Sequence, residues 1–293
     1  MKILISDQME EEVVESIRKL GEVEHKPKDL KAAITDADVL IVRSATKVTK
    51  ELLDHAKKLK VVARAGVGLD NVDAEECEKR GIKVINTPGA STNAVAELVI
   101  GVMICMLRNV QKAHLQMKNK IWDKKNLTGK EIWGKTLGIV GFGRIGSMVA
   151  DKAHMLGMNV IAYDPHSRPS ESAKFVDLET IFRSADVISL HTVLTDETKH
   201  MVNKDTITRM KDGVYIINAA RGALIDEAAL YEACKSGKIA SAALDVYEAE
   251  PYTGKLLELE NVYFTPHLGA STIEAQNRIG EELIEKLKKE LSR

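Results

Sequence analysis

Gly141-Phe-Gly143-Arg-Ile-Gly146 is the first arrangement in the chain that can do chemistry. It follows the apolar run TLGIV and opens a helical pattern reaching Leu156, and Asp164 ends the next apolar run, NVIAY. In that context the three glycines predict a dinucleotide site: Gly141 for a tight turn, Gly143 for close backbone approach to a pyrophosphate, and Gly146 for packing of helix on strand. Asp164 is placed to accept the adenosine ribose hydroxyls. Its charge would repel a 2′-phosphate, so NAD is expected over NADP, with Arg168 as a nearby cation that would blunt the preference. A glycine-rich turn in an ordinary βα unit is the plainer reading, and it leaves Asp164 unexplained.

Three later segments each carry an ionisable residue: Asn218-Ala-Ala-Arg221-Gly, Asp245-Val-Tyr-Glu-Ala-Glu250-Pro251 and Thr265-Pro-His267-Leu-Gly269-Ala270. Singly, such residues are most often a surface cation, a turn carboxylate and a solvated or core histidine. Here each stands just past the C-terminal end of a predicted strand, the edge on which open α/β sheets bind ligands and the edge that bears the glycine loop. That shared placement favours one site over three coincidences.

The elements that must position these residues are legible as an alternation of short β-branched runs and helical periods. Before residue 97 the runs are KILI (2–5), DVLIV (38–42), KVVA (60–63) and KVIN (83–86); after Lys135 they are TLGIV (136–140), NVIAY (159–163), DVISL (186–190), GVYIIN (213–218), SAALDV (241–246) and NVYFT (261–265). This rhythm predicts parallel sheets covered by helices, with a doubly wound dinucleotide-binding domain over 97–270. A smaller discontinuous lobe is expected from 1–96 with 271–293, closed by a helix that carries Ile279, Leu283, Leu287 and Leu291 at four-residue steps. Between the lobes one long helical segment is expected from Asn93 through Glu97 to Lys118, ending at Trp122.

Composition sets the outer bounds. With 42 Lys+Arg against 43 Asp+Glu in 293 residues, and only 4 Phe, 2 Trp and 6 Tyr, the chain offers neither a basic face nor a base-stacking surface, so nucleic acid is not expected as a partner. The longest apolar run, Leu98 to Leu107, is about half of what spans a bilayer, and the N-terminus turns acidic at Asp7 and Glu10, so no membrane segment or signal peptide is expected. Cys77, Cys105 and Cys234 lack any CxxC spacing and read as reduced residues of a cytoplasmic protein, with no metal site expected.

These motifs, with Val42-Arg43-Ser-Ala-Thr-Lys47 and Ala63-Arg64-Ala-Gly66-Val67-Gly68-Leu-Asp-Asn-Val-Asp73, give nearly the whole chain the look of one family: it resembles the D-isomer-specific 2-hydroxyacid dehydrogenases. The resemblance implies a Rossmann-type doubly wound parallel sheet inserted into a smaller flavodoxin-like α/β lobe. It also implies a homodimer docking through an arm near Trp122, and a phosphorylated 2-hydroxy acid as substrate. By the same likeness Arg221, Glu250 and His267 are catalytic. NAD is contacted by Arg144, Ile145, Asp164, Thr192, Ala219, Asp245 and the backbone around Gly269 and Ala270, with Val67 towards the nicotinamide. Arg43, and Arg64 as a second cation, would read the substrate phosphate beside Gly66 and Gly68. Val193 stands where many members have proline. Longer relatives continue past the helix that ends this chain into regulatory domains, so a short form is expected. Within the family the implied roles suit hydride removal from an alcohol: His267 takes the hydroxyl proton, Glu250 orients and charges the imidazole, and Arg221 grips the carboxylate. A reductase of unphosphorylated 2-oxo acids needs the same three residues, and an NAD-sensing binding protein is the rival from outside the enzymes.

Overall fold

The computed structural model describes residues 1–166 and 169–291, so Arg168 lies outside the described residues. The chain divides into two units, Met1–Thr92 with Ala270–Arg293, and Asn93–Gly269.

In the first unit the strands β1 (Lys2–Ile5), β2 (Glu22–His25), β3 (Val39–Val42), β4 (Val61–Arg64) and β5 (Lys83–Asn86) form a parallel sheet in the order β2-β1-β3-β4-β5. Side chains alternate across a strand, so a sheet covered on both sides needs apolar residues at successive positions. Ile3, Ile5, Val39 and Ile41 pack with Val14 and Ile17 of the helix Glu11–Arg18 and with Ile279, Leu283 and Leu287 of the helix Ile273–Leu291. Leu4, Leu40, Val42 and Val62 pack on the other side with Leu52, Leu53 and Cys77. The strand β2, Glu-Val-Glu-His, was not visible as an apolar run because it lies on the sheet edge and none of its residues is fully buried.

The second unit holds β6 (Thr136–Val140), β7 (Asn159–Tyr163), β8 (Lys174–Phe175), β9 (Val187–Leu190), β10 (Val214–Asn218), β11 (Ile239–Leu244) and β12 (Val262–Phe264), all parallel, in the order β12-β11-β10-β9-β6-β7-β8. Sheet order reverses beside β6, which makes its C-terminal end the switch point of a doubly wound fold. The two-residue β8 is too short to leave a pattern in the sequence.

The single helix expected over 93–122 is two helices, Thr92–Leu107 and Val110–Lys118, bent by 65°. Asn109 breaks it by adopting a left-handed φ of 54°, which a short polar side chain tolerates, and Lys120 at φ 60° follows the end of the second helix. Val95, Val99 and Met103 of the first helix share a core with Leu137, Ile139, Ile217 and Ala243. Among the described residues no single helix is long and apolar enough to cross a membrane.

Candidate active site

The turn from β6 into the helix Arg144–Met155 gives each glycine its own reason. Gly141 takes φ +93°, and a Cβ there would stand 2.6 Å from the backbone of His191 and Thr192; a Cβ at Gly146 would stand 2.1 Å from the Gly141 carbonyl oxygen. Gly143 differs, since an added Cβ would meet nothing within 4 Å. That open space beside a helix N-terminus fits the approach of a pyrophosphate, and the residues present therefore fit a dinucleotide. Arg144 and Ile145 begin the helix, Thr192 follows β9 and Ala219 follows β10, so these positions lie with the loop along one edge of the sheet.

Asp164 follows β7 and does more than its spacing indicated. Its carboxylate accepts the Phe142 N–H at 2.7 Å and the His166 N–H at 2.8 Å, so it braces the glycine loop while lone pairs remain for ribose hydroxyls. His191 braces the loop from the other side by donating its N–H to the Val140 carbonyl at 2.7 Å. Its ring pairs through Nε2 with the Ser189 hydroxyl at 2.8 Å, and burial pushes the imidazole down to about 4, so it is neutral at ordinary pH.

Arg221, Glu250 and His267 stand on the loops after β10, β11 and β12. The Glu250 carboxylate meets His267 Nδ1 at 2.9 Å and accepts the Tyr247 N–H at 3.3 Å. The imidazole is 46% and the carboxylate 38% exposed, open enough to receive a ligand. His267 holds a left-handed φ of 55°, and its loop is fixed from beneath by Asp245. That buried carboxylate accepts the Thr265 hydroxyl at 2.6 Å, the Leu268 N–H at 2.6 Å and the Gly269 N–H at 2.8 Å. The Arg221 turn is seated against the Glu250 loop, because a Cβ on Gly222 would fall 1.9 Å from the Tyr247 carbonyl carbon. Asn218 holds the same turn, donating to the Arg221 carbonyl at 2.8 Å and accepting the Ala220 N–H at 3.1 Å.

Sequence reasoning missed Asn218 and Tyr247 as structural partners of the site. The Tyr247 hydroxyl donates to the carbonyls of Leu244 and Thr265, tying the Glu250 loop to the His267 loop, and only its place in the segment Asp245-Val-Tyr247 hinted at this. A cavity of about 340 Å³ lies behind these loops, lined by Leu98, Val102, Cys105, Ala219, Asp245 and Thr265. Its walls are mostly apolar and none of Gly141, Gly143, Gly146 or Asp164 borders it, so it does not suit a pyrophosphate.

Arg43, Arg64, Gly66, Val67, Gly68 and Ala270 belong to the first unit. Arg43 follows β3 and donates through Nη1 to the Gln8 carbonyl at 3.2 Å. Arg64 ends β4 with its guanidinium lying over Gly66, where a Cβ would stand 1.5 Å from Nη1, so only glycine fits beneath it. Val67 is held by Asn86, whose amide donates to its carbonyl at 2.6 Å, and the Ala270 carbonyl accepts from Gln276 at 2.7 Å.

Residues 100–269 match the profile described as D-isomer specific 2-hydroxyacid dehydrogenase, NAD binding domain. The chain is 49% identical to a hydroxypyruvate reductase of Thermotoga maritima, over 99% of this chain and 98% of that protein. It is 46% identical to a D-3-phosphoglycerate dehydrogenase of Methanocaldococcus jannaschii over 99% of this chain and 57% of that protein, so it spans little more than half the length of that relative. The solved D-lactate dehydrogenase of Aquifex aeolicus with NAD and lactic acid is similar in structure at a TM-score of 0.90 and 31% identity, covering 100% of this chain and 96% of the other.

Proposed function

The chain belongs to the D-isomer-specific 2-hydroxyacid dehydrogenases and is an NAD-dependent oxidoreductase, and from that premise we propose that it interconverts D-3-phosphoglycerate and 3-phosphohydroxypyruvate. The observation that carries the catalytic reading is the imidazole–carboxylate pair, His267 Nδ1 to Glu250 Oε2 at 2.9 Å, exposed on a loop at the C-terminal edge of the nucleotide-binding sheet.

NAD, when bound, supplies the hydride acceptor for oxidation of the alcohol carbon and, as NADH, the donor for the reverse. The chain's own residues bind, orient and move the proton. Gly141, Gly143 and Gly146 with Arg144 and Ile145 would hold the pyrophosphate, and Asp164 would hold the ribose hydroxyls. As the family likeness implies, Thr192, Ala219, Asp245, Gly269 and Ala270 would hold the remainder of the nucleotide, and Val67 would serve the nicotinamide. With Nδ1 engaged by Glu250, His267 uses Nε2 to take the substrate hydroxyl proton in oxidation and returns it in reduction; the carboxylate favours the imidazolium formed between. Arg221 holds the substrate carboxylate and polarises the adjoining C–O bond. Arg43 takes the phosphate with its planar fork, while Arg64 supports the Gly66-Val67-Gly68 turn on which it lies.

A second reading is a hydroxypyruvate reductase, favoured by the match to the Thermotoga maritima protein over its full length. Loss of NADH absorbance with phosphohydroxypyruvate, hydroxypyruvate and glyoxylate in parallel separates the two. Activity with none of them would remove the dehydrogenase assignment of the site. We also infer a cytoplasmic homodimer joined near Trp122, supported by free cysteines and by an indole left 80% exposed.

A further inference from the structure

The segment Arg43–Thr46 leaves β3 as an irregular bend, and irregular backbone at the rim of a sheet must find partners for its polar groups. Two side chains supply them. Asp7, just past β1 and buried, accepts the Arg43 N–H at 2.6 Å, the Thr46 N–H at 3.2 Å and the Thr46 hydroxyl. Asn71, from the turn that follows Gly68, donates its side-chain amide to the Arg43 carbonyl at 2.7 Å and to the Thr46 carbonyl at 2.6 Å. The backbone N–H and C=O of both Arg43 and Thr46 are thus assigned to these two side chains. The peptide bonds here are trans, and a trans peptide points its N–H opposite to its C=O. With the Arg43 and Thr46 carbonyls turned towards Asn71, the N–H groups of the exposed residues Ser44 and Lys47 are turned away from it.

We propose that Asp7 and Asn71 are positioning residues that hold the 43–47 turn in the one shape that presents the Arg43 guanidinium and the Ser44 and Lys47 N–H groups to the phosphate of the substrate. The proposal rests on the phosphorylated-substrate reading above. Asp7 does not oppose the anion as a bare charge would, because its oxygens are occupied by two peptide donors and a hydroxyl that draw its charge into the turn. Asn71 also holds the far end of the turn, since its own carbonyl accepts the Val48 N–H at 2.7 Å.

The test compares phosphohydroxypyruvate with hydroxypyruvate in wild type, Arg43→Ala, Asn71→Ala, Asn71→Asp and Thr46→Val, with inorganic phosphate as competitive inhibitor and melting temperature as a check on folding. Asn71→Asp keeps size and sets an oxygen against two carbonyls, and Thr46→Val removes only one bond to Asp7. The Asn71 variants should raise KM for phosphohydroxypyruvate by about tenfold, the equivalent of one to two hydrogen bonds, with kcat within about twofold. Inhibition by inorganic phosphate should weaken in step, and kcat/KM for hydroxypyruvate should stay within about threefold. Thr46→Val should shift the same constants less, and it carries the test if the Asn71 variants do not fold. Equal losses on both substrates in the Asn71 variants, or no loss on either while Arg43→Ala remains selective, would overturn the positioning role. Equal losses in Arg43→Ala itself would instead overturn the phosphate reading on which it rests.

Discussion

Glu250 divides its carboxylate between the Tyr247 N–H and His267, so in the proposed mechanism the imidazole and the carboxylate would act as one unit whose removal in parts is not additive. His267→Ala and Glu250→Gln should each lower kcat by about 10² or more, the scale of lost general acid–base catalysis, and the double variant should cost much less than their product. Stopped assays of the three variants in both directions check this, and near-wild-type turnover in His267→Ala would remove it from the mechanism. Asp164 braces Phe142, and in the proposed mechanism it would also take the ribose hydroxyls. Asp164→Ala should therefore raise KM for NADH sharply and narrow the gap to NADPH. Asp164→Asn keeps an acceptor for the Phe142 N–H but not the charge, so it should relax the discrimination with a smaller loss of NADH affinity. Steady-state constants for both cofactors measure this; equal wild-type efficiency with NADPH would count against the ribose role.

Among the elements, the glycine loop shows which parts of the fold leave a mark in the sequence. A tight turn after an apolar strand leaves its mark as Gly141 and Gly146, whose Cβ positions are filled by backbone. Gly146→Ala should destabilise the protein by about 1–3 kcal/mol through overpacking. Gly143→Ala, with open space for its methyl group, should fold normally and weaken NADH binding; calorimetry and a cofactor titration separate the two effects. His191 contributes at the neighbouring strand end in a pH-dependent way. Its folded-state imidazole is pushed down to about 4 from an ordinary 6.5, so the unfolded chain binds a proton that the native protein does not between these values. Stability is fully present above pH about 6.5 and is lost as pH falls towards 4, by an amount on the order of 2–3 kcal/mol. His191→Asn should flatten the melting temperature over that interval. The strands β2 and β8 and the break at Asn109 were not legible, because edge strands need no apolar run and a lone Asn in a helical period looks like any polar position. Nor was the bracing by Asp245, since the sequence places its carboxylate at the sheet edge without telling whether it faces a ligand or the His267 loop.

Across the whole chain, the alternation of strands and helices was enough to foresee two parallel sheets, because buried parallel strands must be apolar at successive positions, as Val39–Val42 and Val187–Leu190 are. The proposed homodimer has no such periodic trace and rests on exposed residues. Trp122 and Ile121 are 80% and 50% exposed, and the proposed homodimer of two 32.3 kDa chains would cover them. Light scattering should give about twice the chain mass, and Trp122→Ala should shift the equilibrium towards monomer at low concentration. The substrate is read from kcat/KM of the purified protein with NADH for phosphohydroxypyruvate and for hydroxypyruvate, side by side. A preference for the phosphorylated acid of about tenfold or more, reduced in Arg43→Ala by about 1.5–3 kcal/mol while hydroxypyruvate is spared, is the predicted result. Equal efficiency, or a preference for hydroxypyruvate that Arg43→Ala leaves unchanged, would contradict it.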